Sequence, residues 1–138
     1  MIIDAHTHRY PSEAFADPVA FANPRKESHW LGLVAPEGGP NLQGWADGEK
    51  MLEDMQVAKV DRCALLAWYW ENPKTCKWHN DWNARWIREE PERFFAFAAV
   101  HPQLEDPVGE LQKRHEEGFS GIGECHPWAQ GFSMRDPT

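Results

Sequence analysis

Two histidines near the start of the chain, His6 and His8, have the type and spacing of metal ligands. They follow the apolar run at residues 1–3, which predicts a strand over about residues 1–6. Side chains two residues apart on a strand point to the same face, so Asp4 and both imidazoles are expected on one side. Neutral imidazole is a good ligand for zinc-like divalent ions. His6 and His8 therefore predict half of a metal site, in which Asp4 either orients an imidazole or caps local backbone amides.

Further polar residues stand at the ends of two other apolar runs. His101 follows the run at 93–100, while Glu124 and His126 end the run at 120–125. The carboxyl ends of parallel strands gather at one face, which is where such folds keep their active sites. Glu124 is expected to be a third metal ligand, with a charged rim residue as the alternative. His101 and His126 are expected to line a substrate pocket, the alternative for each being a solvated loop histidine.

The segment at 9–43 is rich in proline and is expected to be a long irregular loop. Because it leaves the strand end that carries the histidines, it is predicted to form a pocket wall or lid. His29 lies within it and is expected to reach over the site and contact substrate. Trp128, which lies two residues beyond His126, is expected to complete the substrate-binding set.

The rest of the chain alternates between apolar runs and segments of helical periodicity. Helices are predicted at 45–59, 76–90 and 105–117, and strands at 63–68, 93–100 and 120–125. This alternation predicts the α/β class, with about four parallel strands joined by intervening helices in right-handed crossovers.

The predicted helix at 76–90 carries tryptophans at every fourth position. Trp78, Trp82 and Trp86 share one helical face and are expected to pack against the sheet. His79, in the same helix, and His115, in the next one, are expected to be structural or surface residues.

Composition narrows the class of protein. The 138 residues suffice for one domain, residues 1–138, and 22 acidic against 14 basic residues argue against binding to nucleic acid or to an anionic membrane. The chain shows no targeting signal, so a cytoplasmic location is expected. Three widely spaced cysteines suit reduced thiols better than a disulfide framework.

Three segments together resemble the amidohydrolase superfamily. They are DAHTH at 4–8, NARWIREEPERFFAFAAVHPQ at 83–103 and GFSGIGECHPWAQGFS at 118–133. The resemblance is closest to the amidohydrolase-related branch that includes aminocarboxymuconate-semialdehyde decarboxylase. It implies a (β/α)8 TIM barrel with a divalent metal, expected to be Zn²⁺, at its C-terminal face. His6 and His8 match the first-strand ligands of the family, and Glu124 matches the bridging acid of some members.

The resemblance also shows what the chain lacks. Family members draw further histidines from the fifth and sixth strands and a catalytic aspartate from the last, and a whole barrel takes ~250 residues. The chain is therefore expected to be the N-terminal half of a barrel, a fragment to which no catalytic residue is assigned. The implied function is a metal-dependent hydrolase acting on a small-molecule substrate. The alternatives are a metal-dependent decarboxylase, or a non-catalytic half-barrel that must associate with another chain or with a second copy of itself through exposed sheet edges.

Overall fold

The structure, a computed structural model, describes residues 1–39 and 48–135. Its elements in chain order are β1 (Ile3–Thr7), α1 (Ser12–Ala16), α2 (Pro18–Arg25), α3 (Ser28–Val34), α4 (Gly48–Ala58), β2 (Arg62–Leu66), α5 (Pro73–Glu89), β3 (Phe94–Ala98), α6 (Pro107–Glu116), β4 (Gly121–Ile122) and α7 (Pro127–Gln130). The predicted helix start at 45–47 and loop end at 40–43 lie outside the described residues. Within the described ranges, no helix is long and apolar enough to cross a membrane.

The strands form a parallel four-stranded sheet in the order β1-β2-β3-β4. This confirms the predicted α/β class and its intervening helices. The fourth strand is shorter than predicted, covering Gly121–Ile122 rather than 120–125. It lies so close to its neighbour that a Cβ on Gly121 would stand 2.7 Å from the ring of Phe97, so glycine permits the approach.

The prediction of an irregular loop over 9–43 is wrong for its described part, which folds into α1, α2 and α3. Two of its prolines, Pro11 and Pro18, mark helix starts rather than loops. Pro18 is the first residue of α2, where a missing N–H costs nothing, and the Asp17 carboxylate accepts the amide N–H of Ala20. Helices of five to eight residues are too short to show a clear hydrophobic period. They nevertheless bury Phe21 and Trp30.

Helix α5 packs against the sheet with a face that is more polar than predicted. Trp86 is buried, as expected for core packing, but Trp78 and Trp82 are half-buried on its flank. His79 and Asn80 are fully buried in the centre of the face. The Asn80 side chain binds both the N–H and the carbonyl of Ala99, at the end of β3. These buried groups satisfy backbone that leaves the sheet, which explains why an apolar pattern alone misses them.

Candidate metal centre

The side chains of His6, His8 and Glu124 converge at the carboxyl end of the sheet. Nε2 of His6 lies 3.2 Å from Nε2 of His8 and 3.2 Å from Oε1 of Glu124, and Nε2 of His8 lies 3.4 Å from Oε2 of Glu124. Among the described residues these three form the group that could hold a metal ion. The His6 side chain is 60% exposed and that of His8 only 12%, so the group is open to solvent on the His6 side.

The His8 imidazole is held by a backbone carbonyl of the neighbouring strand. Its Nδ1 lies 3.0 Å from the carbonyl oxygen of Leu66, the last residue of β2. Donation of the Nδ1 proton to this oxygen leaves the lone pair of Nε2 directed at His6 and Glu124. Burial lowers the pKa of His8, against the opposing effects of the Leu66 carbonyl and the Glu124 carboxylate. A neutral imidazole with its second nitrogen anchored is the form in which histidine binds metals.

Glu124 reaches the histidines because its backbone is anchored to the neighbouring strands. Its N–H donates to the carbonyl of Ala67 at 3.1 Å, and the N–H of Gly123 donates to the carbonyl of Ala98 at 2.9 Å. These bonds continue the sheet beyond the two residues of β4. They fix the point from which the Glu124 side chain extends across the end of β2.

Asp4 does not orient an imidazole, which is the first of the two roles predicted for it. Its Oδ1 accepts the backbone N–H of His6 at 3.1 Å, and the residue is exposed rather than set beneath the site. This matches the alternative in which Asp4 caps a local amide. The Leu66 carbonyl, not Asp4, orients an imidazole here.

Aromatic rings extend from the three converging side chains along one side of the site. The ring of Trp68 contacts the His8 ring edge-on at 5.0 Å and stacks on Tyr69 at 4.2 Å. Tyr69 in turn stacks on His126 at 4.7 Å between ring centroids. Burial raises the pKa of the Tyr69 hydroxyl, and the Glu124 carboxylate adds to that effect. We call Trp68, Tyr69 and His126 the aromatic wall.

The structure brings His29 and Trp128 to the far end of the aromatic wall. The His29 ring lies 5.7 Å from that of His126 and 5.5 Å from that of Trp128, and its Nε2 is 3.4 Å from the Tyr69 hydroxyl. His29 and Trp128 also line a cavity of about 320 Å³. Trp128 is 78% exposed, which leaves most of its ring free to cover a bound molecule.

His101, unlike the other three predicted substrate-binding residues, is not brought to this open surface. Its side chain is fully buried, and Nδ1 accepts the backbone N–H of Gln103 at 3.1 Å. Burial lowers the pKa of His101, so the ring is held neutral within the fold. The chain turns directly after it, where the N–H of Leu104 donates to the His101 carbonyl at 3.0 Å.

Two glutamates join the helix that carries His29 to the loop after β2. The Glu27 carboxylate accepts the N–H groups of Glu71 and Asn72 at 2.8 and 3.1 Å. The Glu71 carboxylate accepts the Ser28 hydroxyl and the N–H of His29 at 2.9 and 2.7 Å. The Glu27 carboxylate thus binds N–H groups just before α5, and the Glu71 carboxylate binds an N–H group in the first turn of α3. We call Glu27 and Glu71 the glutamate clasp. It fixes His29 relative to the aromatic wall.

Solved structures of enzymes share this fold. A 4-oxalomesaconate hydratase from Rhodopseudomonas palustris is 22% identical, with a TM-score of 0.53 over 88% of this chain and 40% of its own. An amidohydrolase II is 18% identical, with a TM-score of 0.59 over 88% and 39%. A 2,6-dihydroxybenzoate decarboxylase complexed with 2,6-dihydroxybenzoate is 20% identical, with a TM-score of 0.53 over 88% and 38%. The chain shares the fold of these structures. It spans about two-fifths of the length of these structures.

No protein-family model and no curated protein matches the sequence, so the comparisons show the fold alone. The shared part is the parallel sheet with its intervening helices, a partial α/β fold of the TIM-barrel type. The three converging side chains lie at the carboxyl edge of this sheet, where TIM barrels place their chemistry.

The donor set of His6, His8 and Glu124 fits a tetrahedral divalent ion. Ligand atoms about 2.0–2.2 Å from one tetrahedral ion stand about 3.3–3.6 Å apart. The two imidazole Nε2 atoms stand 3.2 Å apart, close to that spacing, and each faces a different oxygen of Glu124, at 3.2 Å for His6 and 3.4 Å for His8. Two imidazoles and a carboxylate would leave a fourth position open for water or substrate, as catalytic zinc sites do.

Sequence reasoning missed two groups in this candidate site. The Leu66 carbonyl that orients His8 is a backbone atom, and residue types give no sign of it. Tyr69 does have a sequence signal, because it follows the apolar run of β2 and strand ends were already expected to carry the site.

Proposed function

We propose that this chain supplies the metal-binding part of a metal-dependent hydrolase of the amidohydrolase-related type. The observation that carries the proposal is the convergence of His6, His8 and Glu124, whose nitrogen and oxygen atoms face one another at 3.2–3.4 Å. The proposed ion is Zn²⁺, because two neutral imidazoles and one carboxylate are ligands that zinc prefers. When bound there, the ion would lower the pKa of a water molecule and polarise the bond to be cleaved.

The aromatic wall and the residues beside it are the proposed substrate-binding surface. Tyr69 and His126 offer stacked ring edges and faces next to Glu124, and His29 and Trp128 flank the adjoining cavity. Such a surface suits a small, flat organic molecule with polar substituents, because rings bind its faces while imidazole nitrogens and the Tyr69 hydroxyl bind its edges. His101 is left out of this proposed set because its side chain is buried.

A metal-dependent decarboxylase is the second candidate function. It is favoured by the fold similarity to a decarboxylase whose structure holds 2,6-dihydroxybenzoate, together with the stacked rings next to the proposed ion. The two candidates share the same metal ligands. They differ in whether water attacks the substrate or a carbon–carbon bond to a carboxylate is broken.

X-ray absorption spectroscopy of the zinc-loaded chain tests the proposed ligand set. We expect nitrogen or oxygen neighbours at about 2.0–2.2 Å, with the outer-shell scattering of two imidazole rings and no sulfur at about 2.3 Å. Sulfur is a meaningful alternative, because Cys125 directly follows Glu124 and is exposed. A zinc–sulfur distance, or fewer than two imidazoles, would contradict the proposal.

A further inference from the structure

His79 is a fully buried histidine of α5. Both of its ring nitrogens form hydrogen bonds with segments next to the proposed metal centre. Its Nε2 lies 2.8 Å from the carbonyl oxygen of Arg9. Its Nδ1 accepts the backbone N–H of Trp68 at 3.1 Å and the indole N–H of Trp70 at 3.0 Å. The contact with a carbonyl requires the proton on Nε2, and the two contacts with N–H groups require a lone pair on Nδ1.

These bonds reach the two segments that set the position of His8. Arg9 is the next residue after His8, and Trp68 is two residues beyond Leu66, whose carbonyl holds the His8 ring. The Trp68 ring also contacts the His8 ring at 5.0 Å. His79 therefore links two segments of the chain. One is Arg9, which follows the proposed ligand His8, and the other is Trp68, which lies just beyond Leu66, the hydrogen-bond partner of His8.

The surroundings of His79 keep it in the single form that can make all three bonds. The ring stacks on Tyr10 at 5.3 Å, and Tyr10 in turn stacks on His8 at 6.2 Å. Burial lowers the pKa of His79 to about 3, so the ring stays neutral with its proton on Nε2. A protonated ring would present N–H to two other N–H groups and lose both of those bonds.

We propose that His79 is a positioning residue of the metal centre, which holds the ends of β1 and β2 so that His8 faces His6 and Glu124. This inference rests on the proposed metal-binding function. Residues that orient metal ligands from outside the coordination shell change metal affinity by about 10–100-fold when replaced. His79 acts one step further out than the Leu66 carbonyl, so an effect at the lower end of that range is expected.

Three variants of the full chain separate positioning from general support of the fold. His79→Leu removes all three bonds, while His79→Gln keeps an amide N–H donor and a carbonyl acceptor at similar reach. Asn80→Leu is the matched control, since Asn80 is the next residue of α5, is equally buried, and binds the end of β3, which carries no proposed ligand. Zinc affinity is measured by competition with a chromogenic chelator, and unfolding by denaturant titration of the same samples.

We expect His79→Leu to weaken zinc binding about tenfold or more, His79→Gln to recover most of the loss, and Asn80→Leu to stay within about threefold of wild type. The cobalt-loaded His79→Leu chain should also show an altered visible spectrum that Asn80→Leu does not share. If His79→Leu fails to fold, His79→Asn takes its place, because its shorter side chain cannot span both contacts. Equal losses of affinity in the His79 and Asn80 variants would overturn the inference alone. A wild-type chain that binds no zinc would overturn the proposed metal centre as well.

Discussion

Replacing Glu124 with alanine is expected to lower the zinc affinity of the chain at least ~100-fold, since loss of a direct ligand should exceed the 10–100-fold cost of losing an outer partner. Glu124 supplies the single carboxylate among the three converging side chains, and both of its oxygens face imidazole nitrogens. Without it, two histidines from one strand remain, and two ligands do not complete a zinc site. Competition with a chromogenic chelator measures the change.

The neighbouring residue provides the control for this substitution. Cys125→Ser alters an exposed side chain that directly follows Glu124 but has no place in the converging group. It is expected to leave zinc affinity within about threefold of wild type, because a tenfold change would require a loss of about 1.4 kcal/mol of binding free energy. A larger loss in Cys125→Ser than in Glu124→Ala would assign the third ligand to the thiol instead of the carboxylate.

Replacing Glu27 with glutamine is expected to make the unfolding free energy less dependent on pH. The contribution that is removed is about 3 kcal/mol. Burial raises the pKa of Glu27 from 4.5 to about 7, and the nearby Glu71 carboxylate adds to that effect, while hydrogen bonds from Thr75 and the backbone oppose it. Each pH unit of difference corresponds to roughly 1.4 kcal/mol. The residue is only 1% exposed, so solvent does little to screen this cost.

The sign follows from proton binding. Between pH 4.5 and about 7 the folded chain binds a proton at Glu27 that the unfolded chain releases. The stabilisation is therefore complete below about pH 4.5 and is lost as the pH rises through about 7. His8, His79 and His101 act in the opposite direction, because burial lowers their pKa values.

The quantity to measure is thus the difference in unfolding free energy between wild type and Glu27→Gln, since contributions from the histidines cancel in it. Denaturant titrations from pH 5 to pH 8 should show wild type losing stability relative to the variant as the pH rises. Glu53→Gln, an exposed carboxylate of α4, is the control for a change of charge. A difference that stays flat, or that grows in favour of wild type with rising pH, would contradict the buried state of Glu27.

The sheet could be predicted from the sequence because buried parallel strands are short apolar runs. The run at 63–68 covers all but the first residue of β2, and the run at 93–100 contains β3. The polar residues that follow such runs indicate the carboxyl edge of the sheet. His6, His8 and Glu124 were found in this way, from strand geometry for the first two and from family resemblance for the third. Their convergence at 3.2–3.4 Å is a tertiary fact that spacing alone does not give.

Other parts of the site could not be predicted, for physical reasons. The Leu66 carbonyl and the N–H groups bound by the glutamate clasp are backbone atoms, which every residue type carries. Helices α1 to α3 are too short to show periodicity, so the elements that present His29 looked like a loop. His79 and Asn80 interrupt the apolar face of α5 because the strand ends beneath it need polar partners.

The zinc content of the full chain tests the central claim most directly. Wild type, the His6→Ala/His8→Ala double variant and His115→Ala, a change at an exposed histidine of α6, are loaded with zinc, desalted and analysed by mass spectrometry of the metal. We expect about one zinc per chain in wild type and in His115→Ala, and almost none in the double variant, because one carboxylate alone cannot retain the ion. Equal zinc retention in the wild type and the double variant would contradict a metal centre built on His6 and His8.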